Sequence, residues 1–195
     1  MTADTKNKQP SLILLIVIAM TSPLALNLFI PAMPSAVIAL HTDIATMQLT
    51  YSCFLLTLAF GQLISGPLAD YFGRYPVLVT GLIIHFCGCI FAILADDINL
   101  LTAARVLQAL GGSACMSMAR TMTLDLYGRE KSASNMSYLV MAIALSQTLA
   151  PTLGGYVNLY FNWQAIFIIS SYIAFGICIL AIKQLTETCP KKVLA

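Results

Sequence analysis

Apolar residues run along this chain in long, nearly unbroken stretches, not in the alternating or one-faced patterns of elements packed in water. Six stretches stand out, at 12–34, 47–69, 77–95, 100–124, 134–156 and 164–183. Each is close to the roughly 20 residues that an α-helix needs to cross a hydrocarbon layer about 30 Å thick. Short polar connections separate them, at 41–46, 70–75, 96–99, 127–133 and 158–162. The pattern predicts an all-α membrane protein of six transmembrane helices. The first run, preceded by Lys6 and Lys8, begins like a signal peptide. Its apolar character continues to Leu40, so it is read as a retained span.

Composition agrees with this reading. Hydrophobic residues make up 59% and charged residues 9% of the 195 residues, against roughly 45–50% and ~25% in soluble domains. A net charge of +2 carried by scattered basic residues gives no basis for nucleic-acid binding. The six cysteines lie mostly inside apolar runs, where they act as small hydrophobes and not as a disulfide framework. With a cytoplasmic N-terminus, Lys6, Lys8, Arg74, Arg129, Lys131, Lys183, Lys191 and Lys192 all fall at or beyond the inner boundary, and Asp43, Asp96 and Asp97 fall outside. That satisfies the positive-inside rule and puts both termini in the cytoplasm. The expected organisation is a tail over 1–11, a six-span unit over 12–183 and a second tail over 184–195.

The connection between the second and third spans carries a motif. Gly66, Leu68, Ala69, Asp70, Gly73 and Arg74 stand in the segment GQLISGPLADYFGRYPVL. Glycine at 66 and 73 suits close backbone approach and a tight turn. Arg74 lies beyond an inward-running helix, where a cation is favoured, and Asp70, at the same negative end, wants a partner. These residues resemble the G-x-L-a-D-r-x-G-r loop signature of the major facilitator transporters. The resemblance implies a conformational-switch loop with Asp125, at the end of the fourth span, in its charge cluster.

The fifth span reads Ser146-Gln-Thr-Leu-Ala150-Pro151-Thr-Leu-Gly154-Gly155. It resembles the antiporter motif g-x-x-x-G-P-x-x-G-G of that family, with Ser146 and Ala150 replacing two glycines. Small residues at i, i+4 and i+8 let helices pack closely in lipid, and Pro151 frees a backbone carbonyl and permits bending. In the fourth span, Arg105, Gln108, Gly112 and Arg120 fall within an arc of about 120°, and RVLQALGG resembles the family's R-x-x-Q-G. A charge at mid-bilayer depth faces protein or a wet cavity, which makes Arg105 the first candidate for a cavity residue. Arg120 is open between that face and a side chain reaching to the inner interface. Asn27 precedes Pro31-Ala-Met-Pro34, and Leu185-Thr-Glu-Thr-Cys-Pro190 follows the sixth stretch. Both segments resemble the bicyclomycin-resistance-like (Bcr/CflA) drug:proton antiporters, in which an acid stands where this chain has Asn27.

The resemblance implies the N-terminal half of a major facilitator fold, built as a pair of three-helix repeats in a bacterial inner membrane. The implied activity is efflux of drugs or small amphipathic compounds by alternating access, with a substrate cavity touching Asn27, Arg105 and Gln108. A second six-helix half, or a second copy, is the expected partner. The alternative is a non-transporting or truncated half that acts by associating with another membrane subunit. Alone, the half is expected to turn the Arg105 face and Asn27 toward lipid. All eight acids lie in loops, tails or span ends, so the chain by itself is not expected to couple export to a proton gradient. His85 and Cys89 share a helix face at i, i+4 without a further ligand set, and no metal or cofactor is expected. No Ser/His/Asp set, H-E-x-x-H motif or paired intramembrane aspartates point to an enzyme.

Overall fold

A computed structural model describes residues 11–185, 187 and 188, with the side chains of 128–133 outside the description. The side chains of Lys6, Lys8, Arg129, Lys131, Lys191 and Lys192, which carry much of the expected charge asymmetry, lie outside the described residues, as does most of each expected tail. The described backbone is helical, without a strand: α1 (Leu12–Phe29), a 3-10 turn (Ile30–Ala32), α2 (Met33–Ala39), α3 (Ile44–Phe72), α4 (Arg74–Ile93), α5 (Ile98–Tyr160) and α6 (Gln164–Gln184).

The breaks follow local chemistry. Pro31 and Pro34 lack amide donors and crowd the preceding turn. The helix therefore tightens to 3-10 geometry at Ile30–Ala32 and restarts with Pro34 in the first turn of α2. One residue, Gly73, separates α3 from α4, at φ 96°, a conformation that glycine adopts without steric cost. Asp97 caps α5 by accepting a hydrogen bond from the Leu100 amide at 2.7 Å. The expected connection at 127–133 keeps local helical backbone, so that α5 runs from Ile98 to Tyr160, and it falls within the stretch where the chain turns back. That stretch contains no proline, and Glu130 and Lys131 are good helix formers.

α5 nevertheless doubles back. Gly112 packs against Ser22 and Gly154 against the Leu28 carbonyl. Those two points on α1 are about 9 Å apart along the helix axis, whereas 42 residues of straight helix span about 63 Å. Met122 and Leu139 also share one core cluster, so the reversal falls between them. α5 is thus two arms, 98–127 antiparallel to α1 and 134–160 parallel to it.

Two apolar clusters fill the ends of the resulting bundle. One joins Leu15 and Ile18 of α1, Leu78 and Leu82 of α4, Met118, Met122 and Leu139 of α5, and Ile177 of α6. The other joins Phe29 near the end of α1, Met47 of α3, Ala92 of α4, Leu101 and Ala150 of α5, and Phe167 of α6. The segments alternate in direction through the bundle.

By length and apolar composition, Leu12–Ala39, Ile44–Phe72, Arg74–Ile93, Ser134–Tyr160 and Gln164–Gln184 can each cross a membrane. The first arm of α5, expected as the fourth span, is not among them. Arg105, Gln108 and Arg120 lower its apolarity. It packs against α1, α3 and α4, so protein covers what lipid would not tolerate.

Candidate functional site

α4 and the first arm of α5 approach each other closely at glycines on both helices. A Cβ on Gly111 would collide with the His85 amide nitrogen and the Gly81 carbonyl oxygen, and one on Gly88 with the Gln108 backbone. Bare backbone on both helices brings His85 and Cys89 against Gln108. His85 Nδ1 lies 2.8 Å from the Gln108 carbonyl oxygen. Because that oxygen only accepts, the imidazole donates through Nδ1. The Gln108 side chain bridges two groups, donating to Cys89 Sγ at 3.0 Å and accepting from Arg105 Nη1 at 2.6 Å.

Arg105 is the largest fully buried side chain among the described residues. Its guanidinium lies 4.2 Å from the ring centroid of Phe54, 5.1 Å from that of Phe29 and 5.6 Å from that of Phe167. Nη1 also reaches the Ala25 carbonyl at 3.4 Å. Three aromatic rings and two oxygens replace water around the charge. Among the described residues, Arg105 Nε and Nη2, His85 Nε2 and the neighbouring Ser22 Oγ have no hydrogen-bond partner. The expectation that this half alone turns Arg105 toward lipid is therefore corrected. Rings from α1, α3 and α6 enclose it, because a guanidinium stacks on aromatic faces at lower cost than it enters hydrocarbon.

Asn27 is not part of this group. It is half-buried, and its Nδ2 donates to the Pro23 carbonyl of its own helix at 2.8 Å. The structure thus joins Arg105 to Gln108 and leaves Asn27 apart. Arg120, half-buried, donates to Gln62 Oε1 of α3 at 3.4 Å. A 470 Å³ cavity between α3, α4 and the first arm of α5 is lined by Gly61, Phe72, Val77 and Leu110 among others. A 620 Å³ cavity near Leu49, Cys53 and Val106 lies on the α3 side of that arm. Asn27, Arg105 and Gln108 line neither cavity.

The loop motif lies at the end of the bundle occupied by the first cluster. Gly73 makes the turn, and Arg74, half-buried, forms an ion pair with Asp125 of α5, a residue that solvent reaches at this end of the bundle. Asp70 is exposed and has no ion-pair partner among the described residues. Gly66, where close approach was expected, has no heavy atom of another described element within 4 Å of where a Cβ would stand. The second arm of α5 sets Ser146 and Ala150, both buried, in line with Gly154, whose Cβ would collide with the Leu28 carbonyl oxygen of α1. Among the described residues a Cβ on Gly155 would meet Pro31 alone, at 3.9 Å, and Pro151 is half-buried within the helical second arm.

Sequence reasoning missed the aromatic enclosure, since Phe29, Phe54 and Phe167 are far apart in the chain and phenylalanine is ordinary in a lipid-facing helix. It also missed Glu187 as a member of the loop cluster: its carboxylate accepts hydrogen bonds from the Arg74 and Tyr75 amides. A complementary pair of polar helix faces, H-x-x-x-C and R-x-x-Q, was the available signal for the buried group.

The chain is 30% identical over 179 residues to multidrug resistance protein D of Escherichia coli, covering 92% of this chain and 45% of that protein. It is 28% identical over 179 residues to a bicyclomycin resistance protein homolog of Haemophilus influenzae, covering 90% and 44%. The chain thus spans about half the length of these curated relatives. Its fold matches a crystal structure of a peptide transporter in complex with sulfate at a TM-score of 0.79 and 18% identity, over 88% of this chain and 37% of that one. The sequence profile of the Major Facilitator Superfamily matches residues 15–193, and the chain belongs to that superfamily.

Proposed function

We propose that this chain is the N-terminal six-helix half of an exporter of drugs or small amphipathic compounds. It works by alternating access with a second six-helix half or a second copy, in a bacterial inner membrane with both ends of the half cytoplasmic. The observation that carries this reading is the switch turn. Within a chain of this superfamily, Gly73 places Arg74 in an ion pair with Asp125 across the α3–α4 end, beside an exposed Asp70. The names of the drug-resistance relatives supply the substrate class.

In this reading the substrate cavity forms between the two halves, and the buried Arg105–Gln108 group fixes the wall behind it. The second arm of α5, packed on α1 at Gly154 with Ser146 and Ala150 buried in line with it, lets the two helices move as a pair. Asp70 and the open face at Gly66 are where the second half meets the turn. The test is export from vesicles containing this chain together with a second half. Asp70→Asn is expected to lower the export rate about tenfold or more while leaving membrane insertion unchanged. Undiminished export by the variant would remove the switch role from this turn.

A further inference from the structure

Helix α4 starts without a cap of its own. Gly73 has no side chain, and no acidic residue stands in the first turn. The Gly73 amide bonds back to the Ala69 carbonyl at 3.0 Å, and Pro76 has no amide hydrogen. Of the donors that open a helix, only the Arg74 and Tyr75 amides remain to seek a partner.

One side chain takes both. Glu187 Oε1 accepts from the Arg74 amide at 3.0 Å, and Glu187 Oε2 accepts from the Tyr75 amide at 3.2 Å. A carboxylate there also meets the positive end of the α4 dipole. The segment after α6 is anchored on both sides of that contact. Leu185 is buried in the end cluster, and Thr188 Oγ1 donates to Asp125 Oδ2 at 3.5 Å. Asp125 in turn pairs with Arg74. The contacts close a ring from the exit of α6 to the start of α4, across to α5 and back.

We propose that Glu187 is a positioning residue for the switch turn. Its carboxylate pins the start of α4, presents Arg74 to Asp125, and makes the chain leaving α6 move with the α3–α4 turn. The inference rests on reading that turn as the conformational switch, but its first test is independent of transport.

Hydrogen exchange is measured on the full chain in lipid nanodiscs for the parent, Glu187→Gln and Glu187→Ala. The Arg74 and Tyr75 amides are expected to exchange about tenfold faster in the alanine variant, with the glutamine variant between it and the parent. Equal exchange in all three proteins overturns the proposal. The glutamine variant keeps the test decisive if the alanine variant does not fold. In vesicles with a second half, Glu187→Ala is expected to slow export as Arg74→Ala does, and to add nothing in the Arg74→Ala background. Additive losses would show that Glu187 does not act through Arg74 and would also overturn the proposal. Absence of export by the parent with any second half would count against the transporter reading, and the exchange result would then decide this one.

Discussion

The molecule holds two arginines in opposite ways. Arg105, inside the bundle, has no ion-pair partner among the described residues and is held by a glutamine, a carbonyl and three aromatic rings. Arg74, at the end of the bundle, is held by the carboxylate of Asp125, with the Glu187 carboxylate on its backbone amide. The inner site is closed by close helix packing, whereas the outer one is joined by side chains that water can reach. A charge at depth needs a fixed enclosure because rearranging it means passing unpaired polar groups through an apolar medium. A charged pair at the boundary can open and close at small cost. The difference separates a framework from a hinge.

That contrast sets an order of expected effects. Gly111→Val drives a side chain into the His85 amide and the Gly81 carbonyl, which are backbone atoms that cannot swing aside. It is expected to destabilise the chain by about 3 kcal/mol, read as a lowered melting temperature in detergent. A variant that melts with the parent would show that α4 and α5 are not locked by this contact. Next in size is Arg105→Met, which leaves Gln108 Oε1 buried without its donor at a cost of about 1–3 kcal/mol. Adding Gln108→Leu removes the orphaned acceptor and is expected to bring the double variant to within about 1 kcal/mol of the parent. If the two losses simply add, the buried group is not a unit. The smallest effect belongs to the hinge. Asp125→Asn is expected to cost about 0.2–1 kcal/mol at low salt and less at high salt, where exposed pairs are screened. A loss as large as that of Arg105→Met, or one insensitive to salt, would erase the distinction between the two sites.

α1–α2 and α3 show the same division in apolar helices. Of the most apolar part of Leu12–Ala39, 61% of the residues are buried, against 22% for Ile44–Phe72 and 22% for Ser134–Tyr160. α1 is an interior helix contacted by both arms of α5 and by α6. α3 and the second arm of α5 leave most of their surface for lipid or, in the proposed transporter, for the second half. Hydropathy alone cannot rank helices in this way, because lipid and protein interior select the same apolar side chains.

What the sequence determined by itself was the helical class, the placement of the apolar stretches and the motifs at 66–74 and 146–155. Each of these depends on residues close together in the chain, and local spacing is what a sequence displays directly. It also marked Arg105 and Gln108 as one polar face. Only the tertiary structure decided what that face meets: Phe29, Phe54 and Phe167 come from three other helices, and Cys89 reaches Gln108 through glycines on two helices. The capping of α4 by Glu187, 113 residues away from Arg74, likewise had no local signature. Contacts between distant segments are set by how helices pack, and neither period nor composition along one helix records its neighbour.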